Sequence, residues 1–302
     1  MTCTNPVFVS PRGYTGYVRL PGTNLHKVGL FVPCGKCMAC RIARSREWSV
    51  RLFHELHYHE KSMFLTLTYD DEHLPPHGSL RKSDLTKFWK RLRKRLGNRR
   101  IKYFACGEYG SLTERPHYHA VIFGLQFYDL EDQCAVIASW PFCDWNLARV
   151  KSCSERVCFE SIKYVTRYIQ KKLSGSVADS VYIKSRREPP FQVQSSGLGL
   201  RFALDNAKQI ESKLDITLRG AHVGVPRYYR KKLNIDPGVF RRKAMFANLD
   251  FIQSVSVKYP HFRTSLSPTD FLHFCDSVEL ADAFQRDLNI KARQSLLNPG
   301  IF

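Results

Sequence analysis

Acidic residues are scarce in this chain: 27 aspartates and glutamates stand against 47 lysines and arginines, a formal net charge of +20. That imbalance implies a polyanionic partner, nucleic acid first and an anionic membrane surface second. Long apolar runs are missing too, since no stretch approaches the ~18 residues of a spanning helix. No signal peptide opens the chain, so the expected setting is the cytoplasm, with no membrane partner. The sequence has no Gly-x-x-x-x-Gly-Lys-Ser/Thr, which excludes a P-loop ATPase; any unwinding of DNA falls to another protein. Internal repeats and low-complexity tracts are absent as well.

The cations are spread rather than gathered in one tail. They recur as Arg91-Leu-Arg93-Lys94-Arg95, Arg99-Arg100, Lys171-Lys172, Lys184-Ser-Arg-Arg187, Arg230-Lys-Lys232 and Arg241-Arg-Lys243. Aromatic residues make up 13%, enough to supply stacking partners for unpaired bases. Ten cysteines without a secretory signal argue for a reducing compartment. Three of them form Cys34-Gly-Lys-Cys37-Met-Ala-Cys40, a spacing typical of thiolate metal ligation. Cys3 is the candidate fourth ligand of a tetrahedral structural Zn²⁺; free thiols in a glycine-containing turn are the competing reading.

The stretch richest in chemistry is Arg115-Pro-His-Tyr-His-Ala-Val-Ile-Phe-Gly124. After the proline it runs apolar to Gly124, as a strand buried on both faces does. Alternation puts His117 and His119 on one face with Val121 and Phe123, where two imidazoles can grip one metal ion. The chain carries its own control in His57-Tyr58-His59. That copy follows a helical pattern from Cys40 to about Glu60, and on a helix its two histidines point about 160° apart.

Around this strand the pattern predicts short strands near Tyr14–Leu20 and Lys27–Phe31, then a strand over Met63–Tyr69. Ser83 is expected to cap a helix with Leu85, Phe88, Trp89, Leu92 and Leu96 on its apolar face, stopped by Gly97. Lys87, Lys90, Arg91, Lys94 and Arg95 on its other faces suit phosphate contact, and with Arg93, Arg99 and Arg100 they form the candidate DNA-binding set. Strands follow at Ile101–Cys106 and His117–Gly124, a helix at Tyr128–Ser139 and a strand at Asn146–Val150. The fold class is therefore α+β: an antiparallel, ferredoxin- or RRM-like sheet in βαββαβ order, with helices on one face and the other face free for a ligand. Three regions are expected: a Cys-rich N-terminal segment with its helix over 1–61, the core over 62–175, and a partly helical C-terminal region over 176–302 that binds DNA or a partner. Loops fall near Pro189-Pro190 and Gly197–Gly199, and helices begin at about Phe240.

Past the last expected strand, Ser161–Leu173 reads as a helix whose Ile162, Val165, Ile169 and Leu173 form a stripe about 80° wide. Tyr164, Tyr168 and Lys171 form a neighbouring stripe about 60° wide, so two phenols stand one turn apart at the border of the buried face. A phenol with a pKa near 10 attacks poorly unless a cation helps. Lys171 or Lys172 can stabilise the phenolate, and a two-histidine metal site can activate the attacked group.

His-hydrophobic-His on a strand followed by Tyr-x-x-x-Tyr with trailing lysines resembles the HUH endonuclease superfamily of rolling-circle replication initiators. More closely, the chain resembles the replication initiation proteins of the microviruses, small single-stranded DNA phages, and the gokushovirus group in particular. The matching stretches are Cys34–Arg41, Phe64–Asp70, Cys106–Gly110, Arg115–His119, Tyr164–Lys172 and Pro226–Tyr229. The last 70 residues match nothing in that pattern.

The resemblance implies metal-dependent cleavage of one strand at an origin by tyrosine, leaving a 5′-phosphotyrosyl link and a 3′-hydroxyl. It implies work in the cytoplasm of the bacterial host, with single-stranded or origin DNA, a host helicase and a host DNA polymerase as partners. A third metal ligand beside the histidines is also implied, with Glu108 the best match and Glu114 the substitute. Two histidines and a carboxylate suit Mn²⁺ or Mg²⁺. One tyrosine cuts first and the other cuts the regenerated origin; Tyr164, farther from Ile169 and Leu173, is taken as the first. Two readings compete: a non-catalytic single-stranded DNA-binding or packaging protein, and a zinc-dependent DNA-binding regulator built on the cysteines.

Overall fold

The apolar run after Pro116 becomes the second strand of a four-stranded antiparallel sheet, hydrogen-bonded on both edges. The computed structural model describes residues 3–5, 7–9, 17–19, 25–27, 30–110, 113–143, 145, 157–171 and 176–297. In chain order the elements are β1 (Val7–Val9), β2 (Tyr17–Arg19), β3 (Leu25–Lys27), β4 (Leu30–Val32), α1 (Met38–Leu56), β5 (Ser62–Thr68), α2 (Lys82–Leu96), β6 (Lys102–Tyr109) and β7 (Pro116–Phe123). There follow α3 (Leu130–Ser139), α4 (Phe159–Lys171), α5 (Ser176–Tyr182), β8 (Phe191–Gln194), α6 (Leu200–Asp205), α7 (Ala207–Lys213), β9 (Asp215–Leu218), β10 (Ala221–Gly224) and α8 (Arg227–Lys232). The chain ends in α9 (Pro237–Lys258), α10 (Pro260–Ser265) and α11 (Pro268–Leu297). Two compact units result: Arg44–Asp236, which holds the sheet, and Met1–Ala43 together with Pro237–Phe302.

The sheet order is β5-β7-β6-β8, with every neighbouring pair antiparallel. Its first three strands are the expected split β-α-β, in which β7 returns between β5 and β6. The strand expected at Asn146–Val150 lies outside the described residues. The fourth strand seen is β8, directly after Pro189-Pro190, in a stretch read from sequence as a loop. Four residues carry too little alternation to show a strand, and the pairing of Phe104 with Gln194 and Gly107 with Phe191 supplies what the pattern lacks.

Period-2 alternation divides the core by face. Met63, Leu65 and Leu67 of β5 and Tyr118, Ala120 and Ile122 of β7 pack against α2 and α3. On the opposite face Phe104 and Cys106, with Val121 and Phe123, pack against Trp48 and Leu52 of α1 and against Ile162, Val165 and Ile169 of α4. Helices on one face therefore describes only α2 and α3. The other face, expected to be free, is covered because the α4 stripe has nowhere else to bury its branched side chains.

Helix ends depart from expectation in two places. Ser83 does not cap α2, which starts at Lys82 with no side-chain cap bond; instead the Lys82 N–H donates to Glu188 Oε2 at 2.9 Å, a carboxylate from a distant loop. Gly97, at φ +58°, ends the helix as expected. Helix α1 stops at Leu56, short of the second His-Tyr-His. There His57 Nδ1 meets the Phe53 carbonyl at 2.8 Å and His59 Nε2 meets Glu55 at 2.8 Å, so the two rings serve different partners.

Candidate metal and nucleophile site

Strand register builds the cluster. Glu108 stands directly across from His117, and Cys106 across from His119, so one carboxylate and two imidazoles share the face that α4 covers. Glu108 Oε1 lies 2.8 Å from His117 Nε2 and 3.3 Å from His119 Nε2. For an octahedral ion with bonds of about 2.1 Å, adjacent ligand atoms stand about 3.0 Å apart. The donor set therefore fits a hard divalent cation, and all three ligand atoms lie within 4.8 Å of one another.

The far nitrogens are held. His117 Nδ1 lies 3.1 Å from the Arg115 carbonyl and His119 Nδ1 lies 3.0 Å from the Thr66 hydroxyl. A carbonyl only accepts, so His117 carries its proton on Nδ1 and aims the Nε2 lone pair into the cluster. Glu108 and His119 are buried, at 6% and 4% exposure. Glu114, the alternative carboxylate, is elsewhere: at φ +51° in the connecting loop, it pairs with Arg187 at 2.6 Å.

Burial of Ile162, Val165 and Ile169 turns the tyrosine stripe toward this cluster. The Tyr168 ring stacks on His119 with centroids 4.9 Å apart and planes within 8°, and Tyr164 meets His119 edge-on at 5.3 Å. The two phenol rings are 5.1 Å apart and perpendicular, at 89°. Their exposures differ: Tyr164 is 41% accessible and Tyr168 only 7%. Burial, then the Glu108 carboxylate and the Tyr164 hydrogen bond, pushes the Tyr168 phenol well above the ordinary tyrosine range. The back of α4 is fixed to α1 by Thr166, whose carbonyl accepts from Ser45 Oγ at 2.9 Å and whose hydroxyl lies 2.7 Å from Ser49 Oγ.

Sequence reasoning missed Thr66 and Arg167. Thr66 lies across β7 from His119, a pairing visible only once β5 and β7 are known to be neighbours. Arg167 holds its guanidinium 5.8 Å from the Tyr164 ring centroid, and its buried Nε has no hydrogen-bond partner among the described residues. Lys171 is the last residue of α4, its side chain outside the described set, and Lys172 lies outside the described residues altogether.

The basic set of α2 lies on the other side of the sheet from the histidines. Arg91 Nε donates to the Ser139 carbonyl at 2.8 Å, and Arg99 pairs with the fully buried Asp132. Arg93, Lys94, Arg95 and Arg100 are exposed. In the other unit Cys3, Cys34, Cys37 and Cys40 bring four sulfurs within 4.8 Å of one another, a second group able to hold a metal.

A mixed sheet-and-helix core with a two-histidine, one-carboxylate cluster facing paired tyrosines is the architecture expected of a phage replication protein. Residues 62–173 match the family model of the replication-associated protein ORF2, a span containing every residue of this cluster. The chain is 34% identical over 221 residues to the replication-associated protein ORF2 of Spiroplasma virus 4, covering 67% of each. It is 33% identical to the replication-associated protein VP4 of Bdellovibrio phage phiMH2K, over 66% of each chain. To the replication-associated protein ORF4 of Chlamydia phage 1 it is 32% identical, over 69% of this chain and 55% of that one. No solved structure matches the chain at a significant level. The chain belongs to this family of replication-associated proteins, as its resemblance to microvirus initiators implies.

Proposed function

We propose that the protein starts rolling-circle replication by cutting one DNA strand with a tyrosine of α4. The observation that carries the reading is the stacking of Tyr168 and the edge contact of Tyr164 on His119, a ring whose Nε2 faces the Glu108–His117 pair. Glu108, His117 and His119 would hold Mn²⁺ or Mg²⁺, which polarises a phosphate through its open coordination positions. Thr66 and the Arg115 carbonyl keep both imidazoles turned toward it. Tyr164, the accessible phenol, attacks first: its oxygen bonds to phosphorus as the P–O3′ bond breaks, and its proton passes through solvent to the departing 3′ oxygen. A 5′-phosphotyrosyl link and a 3′-hydroxyl result. Tyr168 cuts the regenerated origin in the second round, while the first strand is rejoined into a circle. Lys171 and Lys172 favour the phenolate.

The exposed cations Arg93, Lys94, Arg95 and Arg100 are assigned to the DNA backbone. With no P-loop in the chain, strand separation belongs to a host helicase, and a host polymerase extends the 3′-hydroxyl, all in the cytoplasm of the bacterial host. Zinc, selected by soft thiolates, is assigned to the cysteine cluster. Incubation with a 3′-labelled single strand of the viral genome and Mn²⁺ tests the reading. Label should become covalently bound to protein in Mn²⁺ and not in EDTA. A protein that binds the strand but never links to it would be a packaging or regulatory protein instead.

A further inference from the structure

The cysteine cluster stands outside the span matched by the family model and takes no part in the cutting reaction. Its geometry is nonetheless built. Strands β1 and β4 pair Val7 with Val32, and continuing that register sets Cys3 against the 34–37 turn. Gly35, at φ +73°, lets that turn close. Cys3 Sγ lies 3.7 Å from both Cys34 Sγ and Cys37 Sγ. Four thiolates at about 2.3 Å from one zinc stand about 3.8 Å apart along the edges of the tetrahedron. The N–H groups of Lys36 and Cys37 donate to Cys34 Sγ at 3.4 and 3.2 Å, and that of Cys34 to Cys3 Sγ at 3.3 Å. Such bonds steady thiolates rather than thiols.

The residue after the first ligand reaches the other end of the chain. Thr4 Oγ1 donates to Asp287 Oδ1 of α11 at 3.0 Å, and Asp287 also pairs with Lys291 at 2.7 Å. Position along α11 makes this bond matter. The apolar core that α11 shares with α9 and α10 is built on Val255, Phe271 and Cys275 and reaches only to Val278. Beyond it Leu280 and Phe284 are each 66% exposed and face a groove of about 830 Å³ lined also by Met38 and Arg41. Little apolar packing therefore secures the second half of the helix.

We infer that the zinc-bound cysteine cluster is a clasp, which through Thr4 and Asp287 fastens the second half of α11 to the N-terminal segment. The inference rests on the zinc assignment made above. Zinc fixes Cys3, Cys3 fixes the position of its neighbour Thr4, and Thr4 holds the helix. With zinc removed, this chain of ties reduces to one hydrogen bond on a free segment, and residues 279–291 open while the core around Phe271 stays closed.

Metal content and hydrogen exchange of the full-length protein test this together. Protein purified without chelator should hold about one zinc per chain. Stripping it with a zinc chelator, or substituting Cys37→Ser, should abolish exchange protection over 279–291 and leave that of 251–275 and the β5–β7 strands intact. Thr4→Val should keep the zinc and lose the same protection, which separates the clasp from general unfolding. His117→Ala with His119→Ala should change neither zinc nor protection. No zinc in protein with normal α11 protection would overturn the zinc assignment. Zinc present, with 279–291 equally protected in stripped protein and in Thr4→Val, would overturn the clasp alone.

Discussion

Thr66 does for His119 what the Arg115 carbonyl does for His117: it occupies the nitrogen that must not face the metal. Thr66→Val keeps the shape and removes the hydroxyl, so the His119 ring loses its fixed tautomer. The Mn²⁺ concentration giving half-maximal nicking should rise about 10-fold or more, the usual effect of losing an outer-shell partner; an unchanged titration would remove Thr66 from the site. A second residue governs pH. Burial, with His57 nearby, holds the His54 imidazole down at about 3, where it lies against Tyr229 and stacks on Phe202. Unfolded histidine takes its proton near 6.5, so between about 6.5 and 3 the unfolded chain binds a proton that the folded one does not. Stability from this group is whole above that window and falls as pH drops, by up to about 1.4 kcal/mol per pH unit. Burial pushes the Glu55 carboxyl up, but its bonds to His59, Lys102 and Gly199 outweigh that and leave it lowered, so its own loss comes only below its unfolded value. Urea midpoints at pH 7 and pH 5 should differ in the wild type, and that difference should shrink in His54→Phe.

Among the elements, α4 joins packing to chemistry. Ile162 is fully buried against the sheet, so Ile162→Ala should cost about 2–5 kcal/mol, whereas the exposed Lys163→Ala should stay near zero. Equal urea midpoints for the two variants would mean that α4 is not docked as described. The tyrosine stripe was legible in sequence because branched residues at helical spacing fix which side is buried, and the tyrosines border it. The histidine face was legible for the same reason at period 2. What α4 covers was not: periodicity shows that a helix has an apolar side, but not which sheet face receives it. Helix α2 shows the converse limit. Its apolar face was readable residue by residue, yet the start of the helix is served by Glu188, about a hundred residues away in sequence. Two of its expected phosphate contacts, Arg91 and Arg99, are engaged within the protein because their neighbours in space are Ser139 and Asp132. Reversing the three exposed charges, Arg93→Glu, Lys94→Glu and Arg95→Glu, should weaken binding to any strand and flatten its salt dependence. Unchanged salt dependence would place the DNA on other cations.

At the scale of the molecule, a chain of net charge +20 divides into a unit carrying the sheet, Arg44–Asp236, and one made from both ends of the chain. The ligand types in each were legible, imidazole and carboxylate in one and thiolate in the other, because donor chemistry is written in residue identity. Cys3 could be named only as a donor; its place came from the β1–β4 register, a pairing between segments too short to show in sequence. Likewise β8 and the contact of Thr4 with Asp287 depend on distant chain segments meeting. That one tyrosine does the cutting is decided most directly by mapping the covalent adduct. The protein is to be incubated with single-stranded viral DNA and Mn²⁺, digested, and the DNA-linked peptide sequenced by mass spectrometry. A nucleotide remnant on Tyr164 is expected, on Tyr168 when Tyr164→Phe is used, and on neither in the double variant or in EDTA. An adduct on another residue, or efficient nicking by the double variant, would contradict the mechanism.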